Sequence, residues 1–261
     1  LVPPRHPGGA AVAGRLADAY GAPGEPVVHP VSSTRARPAS DLPGLLRQLD
    51  HARVAEEQQD RDGTVTIDTI TDEHGRRSHV VHLPGTDDMG TLPWTGDERA
   101  RDMRGNLAML AGEDSTFSEG VVDVLDRAGL TPEDRVMLVG HSQGGMTALH
   151  LASAEHGLDV EHVVTAGGAG RPGGPASGTR VLSLEHAADA VPLLDGSDNP
   201  DTVAHVTVRF DHPANGLVAA HALPAHVAGA ESAVASGHPS LVDRVDRMRE
   251  DGFLADPDEA Q

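Results

Sequence analysis

From Thr64 onward, short apolar runs of strand length alternate with longer segments of helical period, and this alternation limits the possible folds more than any other feature. "TVTIDTI" and "SHVVHL", joined by the turn "DEHGRR", read as a hairpin over Thr64 to Leu83. Beyond it, "RVMLVG", "EHVVTAG", "TRVLSLE" and "TVAHVTVRF" read as strands. "ERARDMRGNLAMLAG", "STFSEGVVDVLDRAGL", "SQGGMTALHLASAE", "LVAAHALPAHVAGAESAVAS" and "PSLVDRVDRMRE" read as helices. Strands separated by helices call for a mainly parallel central sheet covered on both faces, with the opening hairpin adding antiparallel strands at one edge. The expected class is α/β.

The 261 residues suit one α/β domain. Residues 1–40, rich in Pro, Gly, Ala and Ser, read as a linker or N-terminal extension, with room for a short helix through "AAVAGRLADAY". Residues 41–250 form the expected domain. It opens on a helix that puts Leu42, Leu45, Leu46 and Leu49 on one face. Residues 251–261 read as an acidic, frayed tail. There is no internal repeat.

Aromatic residues make up only 2% of the chain, so the core must be built from Val, Leu and Ala. The net charge of −20, with arginine as the only strong base, disfavours nucleic acid and anionic membranes as partners. The absence of cysteine removes disulfides, thiol nucleophiles and thiolate metal ligands. No apolar run approaches the roughly 20 residues that span a bilayer. The N-terminus lacks a signal-peptide pattern; the compartment is not fixed by the residues, with the cytoplasm slightly favoured. The start at Leu1 and the Pro/Gly-rich opening raise the expectation of a longer parent chain.

Chemistry concentrates in "RVMLVGHSQGGMTALHLA". A buried strand, a tight turn and a helix place Ser142 between Gly140 and Gly144, which is what a nucleophile elbow requires. The strand aims the serine at the top of the sheet, the glycines give the turn room, and the helix N-terminus favours developing negative charge. The competing reading is an incidental serine in a glycine-rich turn.

"LVGHSQGG" resembles the elbow of the α/β-hydrolase superfamily, more specifically its lipase and esterase members. "VVHLPGT" resembles the strand end of fungal-type (class 3) lipases, in which a hydroxy residue helps form the oxyanion hole; here that residue is Thr86. "VTAGGAG" is similar to the family's glycine-ended strand, and Asp189 in "DAVP" to its triad aspartate. The likeness covers about residues 64–236. It implies the α/β-hydrolase fold and hydrolysis of a carboxylic ester.

A serine hydroxyl needs a base, and a histidine base needs a carboxylate to orient it. In this fold the chain order is Ser, then Asp or Glu, then His. Asp189 follows the strand "TRVLSLE" and is the expected carboxylate, with Glu185, Asp195, Asp198 and Asp201 as rivals. His205, His212, His221, His226 and His238 follow it. His221 is the expected base, because the connection from the last strand is long enough to carry it back over the sheet. His212 and His226 stand behind it. Relatives of this type often show His-x-x-x-x-Tyr here; "HALPAH" puts His221 first and His226 in place of the tyrosine. The oxyanion donors expected are the N–H groups of Gln143 and Thr86.

No histidine set has the H-E-x-x-H spacing of a zinc enzyme, so neither a metal nor a cofactor is expected. Trp94, the only tryptophan, lies in "DDMGTLPWTGD" and reads either as part of a short cap over the site or as a plug at the core edge. The sequence therefore points to a serine hydrolase acting on small-molecule esters, soluble or short-chain rather than interfacial. An acyltransferase or thioesterase with the same triad, and a non-catalytic binding module of the same fold, are the alternatives. Acyl length, leaving group and oligomeric state are not written in the residues.

Overall fold

The computed structural model describes residues 7–20, 25–29, 38–58, 63–72, 74–86, 100–153, 156–170 and 174–256. Their centre is a six-stranded sheet in the order β1-β2-β3-β4-β5-β6. The strands are β1 (Thr66–Thr71), β2 (Arg77–Leu83), β3 (Arg135–His141), β4 (Asp159–Ala166), β5 (Arg180–His186) and β6 (His205–Phe210). β1 pairs antiparallel with β2, and every later pair is parallel. The hairpin closes through the Asp72 carboxylate, which accepts from the N–H groups of His74 and Arg76, with Gly75 at φ 79°. The chain is an α/β protein with a mostly parallel sheet.

Alternation along the strands divides the core into two layers. Val80, Met137, Val139, Val164, Ala166, Leu182 and Leu184 face one side. They meet helices α2 (Leu42–Gln58), α7 (Leu223–Ala235) and α8 (Pro239–Glu250). Val81, Leu83, Val136, Leu138, Val163 and Val181 face the other. There they meet α4 (Thr116–Arg127), through Phe117, Val121 and Leu125, and α5 (Gln143–Leu151). Central strands buried on both faces need apolar residues at successive positions, and Val136 to Val139 supply them.

Helix ends follow their capping residues. Ser115 and Ser118 form a reciprocal capping box at the start of α4. Asp102 caps α3 (Met103–Ala111), which ends at Gly112 in the left-handed region. The segment read as one helix from Leu217 is two, α6 (Leu217–His221) and α7, broken at Ala222 (ψ 140°). Pro224 is the cause, because it has no N–H to give the Ala220 carbonyl in a continuous helix. The break leaves His221 at a corner of the chain.

Both termini differ from the sequence reading. Within the 1–40 linker segment, α1 (Pro7–Asp18) packs on α3 and buries Ala13 and Ala17. Small residues let the two helices approach closely, so this part belongs to the folded body. The acidic 251–261 tail begins docked as well. Phe253 is fully buried, with its ring 5.4 Å from that of His162, and the Ala255 N–H bonds the Ala39 carbonyl. Trp94 and its expected cap or plug lie outside the described residues. Among those residues, no helix is long and apolar enough to cross a membrane.

Leu46→Ala should cost about 2–5 kcal/mol, because the side chain is fully buried between α2 and the sheet. Val12→Ala, at a residue 57% exposed on α1, should change stability by under about 0.5 kcal/mol. Urea midpoints of the two variants check the assignment of the core.

Candidate active site

Ser142 sits between β3 and α5 at φ 53°, ψ −120°, the only non-glycine residue at positive φ among those described. L residues rarely adopt this conformation, which costs on the order of 1–3 kcal/mol. Surrounding contacts hold it: the Ser142 N–H bonds the Ala166 carbonyl of β4 at 2.9 Å, and the Met146 N–H bonds the Ser142 carbonyl at 3.1 Å. The flanking glycines are required by space. A Cβ at Gly140 would collide with the backbone of Gly144, and one at Gly144 with the carbonyls of Leu83 and Pro84.

Three separate loops at the carboxyl ends of the strands converge here. The Ser142 hydroxyl lies 2.8 Å from His221 Nε2, and His221 Nδ1 lies 2.7 Å from Asp189 Oδ2. The tautomer that serves both contacts carries its proton on Nδ1, leaving Nε2 to accept from the serine. Asp189 comes three residues after β5, and its Oδ1 accepts from the Val191 N–H at 2.9 Å. Burial by itself would raise the Asp189 carboxyl. The bonds from His221 and Val191 outweigh it and hold the group below its ordinary range, so it stays ionised.

Several of the rival residues are engaged elsewhere. Glu185 binds Asn199 and Arg209, Asp195 binds Ser197, and Asp198 binds Arg209. His205 bonds Ser183 within the sheet, and His212 offers its carbonyl to His186. His226 is buried beside the site, with Nε2 3.9 Å from Asp189 Oδ2 and Nδ1 on the Ala222 carbonyl.

Thr86 follows β2, and its hydroxyl lies 3.0–3.1 Å from both side-chain polar atoms of Asn106 on α3. The neighbouring backbone is close to the serine, since a Cβ on Gly85 would stand 3.1 Å from Ser142 Cβ. Gln143 is the first residue of α5, so its N–H has no carbonyl partner inside the helix. Its side chain is fully buried, with Nε2 donating to the Asp102 carbonyl at 3.1 Å.

Three residues that sequence reasoning did not single out support this arrangement. Arg101, 2% exposed, donates to the Gly85 carbonyl, and Asn106 holds Thr86. His141 Nε2 bonds the His221 carbonyl at 2.8 Å, which fixes the corner where the helix breaks. The only available signal was that Arg101 and Asn106 are polar residues within a helical segment, and many surface positions share it.

Burial makes two of the neighbouring rings poor bases. Desolvation lowers His141 to about 3 and His226 to about 4, and it lowers His205 within the sheet to about 4. Each is neutral at pH 7, so neither ring beside the site competes with His221 for the Asp189 charge. In the unfolded chain these groups bind protons near their ordinary value of 6.5. Between about pH 6.5 and 4, unfolding therefore takes up protons and stability falls as pH drops, by up to about 1.4 kcal/mol per pH unit for each histidine. Above 6.5 they add no slope. The urea midpoint should drop clearly from pH 7 to pH 5, and His205→Gln should flatten the drop. A midpoint constant over that range would contradict the buried neutral state.

No family model matches the chain, and no curated protein matches it. Among solved structures, it is similar to the triacylglyceride lipase of Rhizomucor miehei, at 17% identity, over 63% of this chain and 77% of that chain, with a TM-score of 0.32.

Proposed function

We propose that the protein is a serine hydrolase of the α/β-hydrolase type that cleaves a carboxylic ester through an acyl-enzyme. The observation that carries this reading is the continuous hydrogen-bond line from the Ser142 hydroxyl through His221 to Asp189, ending on a serine in a strained turn. Such strain persists only where the surroundings enforce it, and it clusters at functional sites. In this reading Ser142 Oγ attacks the ester carbonyl carbon while His221 Nε2 takes its proton. Asp189 holds the imidazole in the receptive tautomer and stabilises the imidazolium that forms. The carbonyl oxygen becomes an oxyanion that accepts from the N–H groups of Gln143 and Thr86, near the positive end of α5. The tetrahedral intermediate collapses, the carbon–alkoxide bond breaks, and the leaving oxygen takes the proton from His221. Water then attacks the acyl-enzyme, giving up a proton to the same nitrogen; the second tetrahedral intermediate collapses, the bond to Ser142 Oγ breaks, that oxygen takes the proton back from His221, and the acid is released.

Arg101 and Asn106 act one step back, fixing the loop that carries Thr86. His141 acts likewise on the backbone of His221.

Ser142→Ala should lower kcat/KM for p-nitrophenyl acetate at least about a thousandfold with an unchanged circular dichroism spectrum. Asp189→Asn should lower kcat by a comparable factor with little change in KM, because it favours the wrong imidazole tautomer. Turnover near wild type in Ser142→Ala would remove the reading.

A further inference from the structure

We propose that Asp114, His150 and His156 form a binding site for a divalent transition metal, best suited to Zn²⁺, that ties the end of α5 to the start of α4. Their ligand atoms all lie within 4.8 Å of one another. His150 Nε2 is 2.7 Å from Asp114 Oδ1, His156 Nε2 is 4.0 Å from the same oxygen, and the two imidazole centroids are 4.7 Å apart. Two imidazoles and a carboxylate are the donor set that Zn²⁺ takes at about 2.0–2.2 Å in tetrahedral geometry, which sets ligand atoms roughly 3.3–3.6 Å apart. The observed spacings straddle that value. The Asp114 side chain is 54% exposed, so it can shift by the fraction of an ångström needed and leave a fourth position to water.

A simple ion pair accounts for His150 with Asp114, but not for His156. Its Nε2 is buried and has no hydrogen-bond partner among the described residues, although it faces the same carboxylate. A metal ion satisfies that atom and makes the cluster complete. The comparable group of Glu161, His162 and Asp251 differs, because Arg135 already neutralises its carboxylates. The net charge of −20 favours cation capture.

His150 lies eight residues after Ser142, roughly 12 Å along α5, so the ion takes no part in bond making at the serine. Its effect is to anchor the helix whose first turn shapes the elbow. The inference stands independently of the ester-hydrolase reading.

The test is ZnCl₂ titration of the EDTA-treated full chain by calorimetry and thermal unfolding, with Co²⁺ absorption as a report of geometry. Asp114→Asn and His156→Gln are the variants, since the fully buried His150 is a riskier site to change. The expected result is one equivalent of Zn²⁺ and the visible bands of tetrahedral Co²⁺. Tm should rise on the order of 5 °C at free Zn²⁺ about 100-fold above Kd. Each variant should bind at least about tenfold more weakly. No stoichiometric binding, or affinity in both variants equal to that of the wild-type chain, would overturn the proposal.

Discussion

The close start of α5 behind β3 is the constraint on which the carboxyl edge of the sheet depends. Gly140 and Gly144 allow the helix backbone to pass where no Cβ fits, and Ser142 is forced to positive φ as a result. The strain is offset by a helix whose nine residues are all buried and by the bond from Ser142 to the end of β4. Once the turn is set, the serine projects from the sheet into a space that two other loops can reach. The end of β2 is drawn into the same space, because Gly85 lies against His141 and Ser142. The sheet's register thus brings four strand ends to one place.

Electrostatics then narrows the roles. Asp189 is buried and ionised, a costly state unless its charge is met by donors. Val191 and His221 provide them. His141 and His226 wall the site as neutral rings, so the imidazolium that would form on His221 has one carboxylate and no cationic neighbour among the described rings. His141 has a second task, since its bond to the His221 carbonyl holds the corner that Pro224 creates. A sheet with few aromatics achieves this with histidines: His186 and His226 pack edge-on against Phe210, where a richer core would use phenylalanine or tyrosine.

Element types from Thr64 onward are legible in the sequence because strand and helix periods differ and the strands are short and apolar. The strand, turn and helix around Ser142 are legible for the same reason, since they are contiguous. What is not legible depends on contacts between distant segments. The helix break at Ala222 is signalled by Pro224, yet the reading of 217–236 as one helix put propensity ahead of it. The packing of α1 on α3 is hidden by composition, because the small residues that permit it look like linker. Phe253 is overlooked in an acidic tail, although one buried ring is enough to dock it. The support given by Arg101 and Asn106 arises only when α3 lies beside the end of β2, and no local pattern encodes that. His221 could be favoured over its rivals by reach alone, whereas its contact with Ser142 is a tertiary fact.

The central claim is that Ser142 is activated by His221. Reaction with a fluorophosphonate probe tests it most directly, because the probe forms a covalent bond only with a serine whose proton can be taken up. Mass spectrometry of the digested protein should find a single adduct, on the peptide carrying Ser142, formed at least about a thousandfold more slowly in His221→Ala. An unlabelled Ser142, or labelling at the same rate in His221→Ala, would contradict the account.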